Sequence, residues 1–136
     1  MSAYKDYMTK AANSAGYHAN INPSVITPAG GKSAGVAITS KWQHPIDEIK
    51  MPDLISMPVP ERFVFNVWHG PVNNGIGIAS IYNVSGAGIG QANLDNLDLA
   101  GGFLRAWGRP FIVSGDWQMS PEQLHQLGWP ASTMLK

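Results

Sequence analysis

The chain contains no cysteine. That excludes disulfides, thiolate metal sites and a thiol nucleophile, and it constrains the redox compartment only weakly. Charge is also scarce, at 13% of the 136 residues, with nine basic against nine acidic side chains. No net field therefore draws the chain to a nucleic-acid backbone or an anionic membrane, and any phosphate recognition has to be local. Long apolar runs are missing as well. The start, MSAYKDYMTKAANSAGYHAN, has no basic head followed by an apolar stretch, so it does not read as a secretory signal, and no segment approaches membrane-spanning length. The expectation is an intracellular protein with no membrane partner.

What is present is 44% hydrophobic residues among 15 glycines and 10 prolines, which predicts one loop-rich domain over residues 1–136 with a single core. SAYKDYMTKAANSAGYH sets Tyr4, Tyr7, Met8, Ala11, Ala12 and Ala15 on one helical stripe, with Ser2 to cap it and Gly16 to end it. NINPSVITPAGGKSAG reads as a strand fragment and then a loop, GVAIT as a short strand, and the proline-studded QHPIDEIKMPDLISMPVP as an irregular excursion. RFVFNVWH alternates, with Phe63, Phe65 and Val67 on one side and Val64, Asn66 and Trp68 on the other, and both sides should be covered. GPVNNG predicts a turn centred on Asn74-Gly75, and IGIASIY completes a hairpin. Leu94, Leu97, Gly101 and Leu104 mark a helix that ends near Trp107-Gly108. Its internal Gly101 and Gly102 weaken it unless close packing needs them. PFIVSGD is a short strand, and SPEQLHQLG starts a last helix with Ser120 as N-cap, Pro121 at the first position and Gln123 closing a capping box.

Asp116 stands where that short strand ends. Gly115 before it permits close approach of backbone or ligand. A carboxylate fixed at a strand end needs a cation or several hydrogen-bond donors. A divalent metal is one solution, and the amides of the following turn are the other. The remaining polar residues carry less. His69 ends a strand beside a turn, while His18 and His44 lie in loops without acids at metal-ligand spacing. GKSAG lacks the Walker spacing, and SGAGIGQ lacks the full dinucleotide pattern. Trp42, Trp68, Trp107 and Trp129 fall beside turns or element ends, where packing is the ordinary role. Arg105 and Arg109 flank the Asp116 strand, and Asp95 and Asp98 favour the dipole of their helix.

IVSGDWQMSPEQL resembles the strand, Gly-Asp-aromatic-Asn, proline and short helix motif of the endonuclease/exonuclease/phosphatase superfamily. GIGIASIYNVSGA and GKSAGVAITSKW resemble its Val-Tyr-x-Pro and Gly-Gly-Val-Ala-Ile strands. The resemblance implies a partial four-layer α/β sandwich with mostly antiparallel strands and outer helices. It also implies metal-assisted hydrolysis of a phosphate ester, nucleic acid among the possible substrates, with Mg2+ or Mn2+ as cofactor. Asp116 would be metal ligand and catalytic group, Gln118 and Tyr82 would be further catalytic residues, and Asn83 and Arg109 would contact substrate. Departures are plain. Gln118 stands for the family's asparagine, Asn83-Val84 replaces the proline after the tyrosine, and nothing here matches the family's metal-binding glutamate or its C-terminal Asp-His pair. The chain thus reads as the middle of such a domain, weak or inactive alone. A catalytically silent remnant that binds nucleic acid or protein, or self-associates through exposed strand edges, is the alternative.

Overall fold

The structure is a computed structural model that describes residues 3–44, 46–48, 58–70 and 73–133. The expected cap Ser2 and most of the proline-studded excursion lie outside them. The order is α1 (Ala3–Ser14), β1 (Tyr17–Asn22), β2 (Val25–Ile26), β3 (Lys32–Ser33), β4 (Val36–Lys41), β5 (Ile46–Glu48), a 3-10 turn (Pro60–Arg62), β6 (Phe63–Trp68), β7 (Ile76–Tyr82), α2 (Gln91–Trp107), β8 (Phe111–Asp116), α3 (Pro121–Gln126) and α4 (Trp129–Thr133). The class is α/β with mostly antiparallel strands. β5-β6-β7-β8 form one sheet, antiparallel except for the parallel pair β7–β8, while β1–β4 and β2–β3 are separate antiparallel pairs. Among the described residues no helix is long and apolar enough to cross a membrane.

The alternation in RFVFNVWH becomes the two covered faces of β6. Phe63, Phe65 and Val67, with Ala79 and Ile81 of β7, pack against Leu97, Ala100, Phe103, Leu104 and Trp107 of α2. Each fully buried side chain of this size contributes about 1.5–3 kcal/mol. Tilted rings add specificity, with Phe65 centred 5.0 Å from Phe103 and 5.2 Å from Trp107. On the opposite face Val64 meets Val36 and Ile38 of β4. Asn66, also buried there, accepts a 3.1 Å hydrogen bond from Asn20 of β1, so a polar tie joins the two sheets. β1–β4 is only two strands wide. Among the described residues it leaves the second face of β8 open, where Ile112 is 57% exposed.

Some expectations change. The stripe on α1 is not a buried face: Tyr4, Tyr7, Met8 and Ala11 are exposed, and the half-buried positions are Lys5, Thr9 and Ala12. The helix leans on β1 of a narrow sheet that offers too little apolar surface to hold the stripe. The hairpin also differs. The β6–β7 register pairs Trp68 with Ile76, so residues 69–75 form the connection and Asn74-Gly75 lies at its end rather than its centre. Within the excursion Ile46–Glu48 is a strand after all, paired to β6 at the sheet's edge, where donors are needed on one side only. α4 is an addition, and it explains Gly101: a Cβ there would stand 3.0 Å from Thr133 Cγ2 and 3.2 Å from Trp129 Nε1.

Gly115 is where the sheet tolerates no other residue. Its φ is +146°, and an added Cβ would lie 1.9 Å from the Ile81 carbonyl oxygen across the β7–β8 pair. Gly115→Ala should therefore destabilise the protein by about 2–4 kcal/mol in urea unfolding. Gly102→Ala, whose added Cβ would have only Arg105 Nη2 within 4 Å, at 3.9 Å, should be neutral or slightly stabilising through helix propensity.

Candidate functional site

Parallel pairing of β7 with β8 sets Tyr82 directly opposite Asp116, at the C-terminal ends of both strands. Alternation puts both side chains on the face that β1–β4 leaves partly open. The ladder runs one step further, since Asn83 N–H donates to the Asp116 carbonyl at 2.9 Å. Asp116 is exposed, and among the described residues Gln118 is the neighbour that meets its side chain. Gln118 donates its backbone N–H to Oδ1 and its side-chain amide to Oδ2. Gln118 sits at φ 52°, in the left-handed region that asparagine adopts more readily than glutamine. The two amide contacts to Asp116 offset that strain.

The Tyr82 hydroxyl lies 3.1 Å from Ser85 Oγ. Over its ring stands the Arg62 guanidinium, 5.9 Å from the centroid, which also donates to the Tyr82 carbonyl at 3.4 Å and to Ser33 Oγ at 3.2 Å. Nothing in PERFVF marks Arg62 by itself. Its parity with Val64 and Asn66 brings it to the Tyr82 face only once β6 has paired with β7.

Of the two expected substrate contacts, Asn83 lies beside Asp116 with its amide turned inward, and Arg109 lies at the other end of β8. Asn83 is 0% exposed. Its Nδ2 donates to the Trp117 carbonyl at 2.9 Å and its Oδ1 accepts from Asn96 at 2.7 Å, so the amide is turned inward and committed to the protein. Arg109 lies before β8, at the end away from Asp116, where it donates to the Asn74 carbonyl and stacks 4.9 Å from the Trp107 ring. At about 3.3 Å rise per residue, roughly 20 Å of strand keeps it from any group that Asp116 holds. The sequence set both residues near the motif, but it could not show which way Asn83 faces or which end of β8 is the site.

Other residues settle into structure. Trp117 packs beneath the site against Trp129, centroids 5.4 Å apart, and Trp129 donates to the Leu97 carbonyl. Asn93 accepts from Val84 N–H and donates to the Val84 and Gly88 carbonyls, fixing the loop after β7. His69 pairs with Asp47 at 2.8 Å on exposed surface. Arg105 reaches the Ser132 carbonyl. A groove of about 670 Å³ opens away from the strand ends, between α1, β1 and Asn66, with Lys5, Lys10 and His18 among its lining.

A hard divalent ion takes about six oxygen ligands. Among the described residues no group of three or more His, Asp or Glu side chains comes together to hold one. Asp116 fits a single ligand position, and only if Gln118 yields an oxygen to it. These residues alone do not make a metal cage, and no hydrolytic step is assigned to them. Comparison with protein-family models, curated proteins and solved structures gives no match.

Two measurements follow from this geometry. Asn83→Ala should cost about 1–3 kcal/mol of stability, because it orphans the Asn96 amide and the Trp117 carbonyl; a surface substrate contact would cost nearly nothing. Glu122, in the first turn of α3, has its carboxyl held below the usual carboxylate range by its own backbone amide and then by the Ser120 hydroxyl. A lowered folded value stabilises above the unfolded value of about 4.3, and that support is lost as pH falls through the folded value. Amide protection at Leu124 and His125 should therefore fall on acidification below about pH 4, and Glu122→Gln should flatten that response.

Proposed function

We propose that the chain is the central part of a phosphate-ester-processing domain of the endonuclease/exonuclease/phosphatase type. Asp116 supplies one ligand to Mg2+ or Mn2+, and Tyr82 hydrogen-bonds the phosphoryl group. The observation that carries this reading is the register that makes Tyr82, half-buried against β4, and the exposed Asp116 cross-strand partners on one face at the ends of β7 and β8. Strand ends backed by a rigid sheet are where such side chains are held with the precision that chemistry needs. The ion, when bound, supplies charge neutralisation at the phosphoryl oxygens. The protein's own part is to hold Asp116 by the Gly115 close approach, to hold Tyr82 by β7, and to orient the carboxylate through Gln118. With one carboxylate at the site among the described residues, turnover by this chain alone is weak or absent.

The second reading is a silent binding module. Ile112, 57% exposed on the outermost strand, favours it, because an apolar edge strand is a template for pairing with another chain.

Mn2+ titration followed by amide NMR separates the two. The first reading expects paramagnetic broadening confined to amides near Tyr82, Asp116 and Gln118 at millimolar Mn2+, abolished in Asp116→Asn. Absence of that broadening, together with concentration-dependent self-association in sedimentation, would leave the binding module standing instead.

A further inference from the structure

We infer that Arg62 is the anion-binding residue of the same strand-end site, contacting the non-bridging oxygens of a phosphate ester that meets the Tyr82 hydroxyl. The inference rests on the phosphate-ester reading and adds a residue to it. β6 and β7 pair antiparallel with Phe63 opposite Ile81, so one further step sets Arg62 beside Tyr82. Tyr82 in turn is opposite Asp116. Residues 62, 82 and 116 therefore form one row across the ends of three adjacent strands, in the order cation, phenol, carboxylate. Strands lie about 4.8 Å apart, so the row spans about 10 Å. That is enough for a phosphoryl group to meet the Tyr82 hydroxyl at the edge of the ring, with the Arg62 guanidinium, which covers the ring face, on its flank.

Arg62 is built to do this. Its contacts to the Tyr82 carbonyl, to Ser33 Oγ and to the Tyr82 ring face fix the guanidinium plane. Those two hydrogen bonds leave further N–H groups of its five-donor fork for a ligand. A fixed fork matches phosphate geometry in a way that a lysine ammonium does not. Ser33 and Ser85, bound to Arg62 and Tyr82 respectively, add hydroxyls at the rim. The chain's formal charge is zero, so an anion is drawn here by this local arrangement rather than by a general field.

The test is titration of the 15N-labelled protein with methyl phosphate at low salt. Binding should shift the amides of Ser33, Arg62, Tyr82 and Ser85. Arg62→Gln should weaken it at least tenfold, and Arg62→Lys by about threefold, because lysine keeps the charge and loses the fork. Amide dispersion checks that each variant is folded; should Arg62→Gln fail to fold, the affinity of the lysine variant decides. Unchanged affinity in the folded variant, no binding by the wild type, or shifts clustered instead at Lys5, Lys10 and His18 would overturn the inference. Mn2+ broadening at Asp116 without methyl phosphate shifts at Arg62 would sink this assignment alone. Shifts at Arg62 without Mn2+ broadening would sink the metal role of Asp116 and leave Arg62 standing.

Discussion

The amide of Asn83 ties three elements together at the C-terminal ends of β7 and β8. It follows β7 directly, accepts from Asn96 of α2 and donates to the carbonyl of Trp117, the residue after Asp116. Its backbone N–H continues the ladder to Asp116. A fully buried amide with these partners is costly to move, since each bond broken leaves a desolvated group behind. The positions of Tyr82 and Asp116 relative to each other, and of both to the helix layer, are fixed by this knot and by the Gly115 contact beneath it.

The same knot explains why the site is open. α2 and the helices after β8 are drawn to the first face of the sheet, where Phe65, Phe103 and Trp107 interlock. Among the described residues the second face receives β1–β4, whose main contacts are with β6 and β7. Asp116 and Ile112 are thus left facing outward on a rigid strand, one polar and held by Gln118, the other apolar and uncovered. Rigid support below and open space above suit ligand capture better than a flexible loop would.

Much of this is legible in the residues. Strict alternation in RFVFNVWH marks both faces of β6, and Ser120 with Gln123 forms the capping box that starts α3. Asp116 stands at a strand end as its apolar run implies. What is not legible depends on pairing. The hairpin register is set by a connection longer than the Asn-Gly signal suggests, so the sequence does not name the neighbour of Tyr82 and does not single out Arg62. Whether Asn83 turns in or out depends on Asn96, thirteen residues later on another element. The stripe on α1 obeys helical periodicity yet meets too narrow a sheet, because periodicity reports the wish to bury a face and not the presence of a partner.

The central claim is that a cation, a phenol and a carboxylate from residues 62, 82 and 116 face one shared space. Crystals soaked in Mn2+ and inorganic phosphate, with anomalous scattering collected for manganese, test it most directly. The account predicts a manganese peak bonded to an Asp116 oxygen, Gln118 swung away from that oxygen, and phosphate density touching Tyr82 and Arg62. Density showing Asp116 still bound to both Gln118 amides, with manganese and phosphate absent from the row, would contradict it.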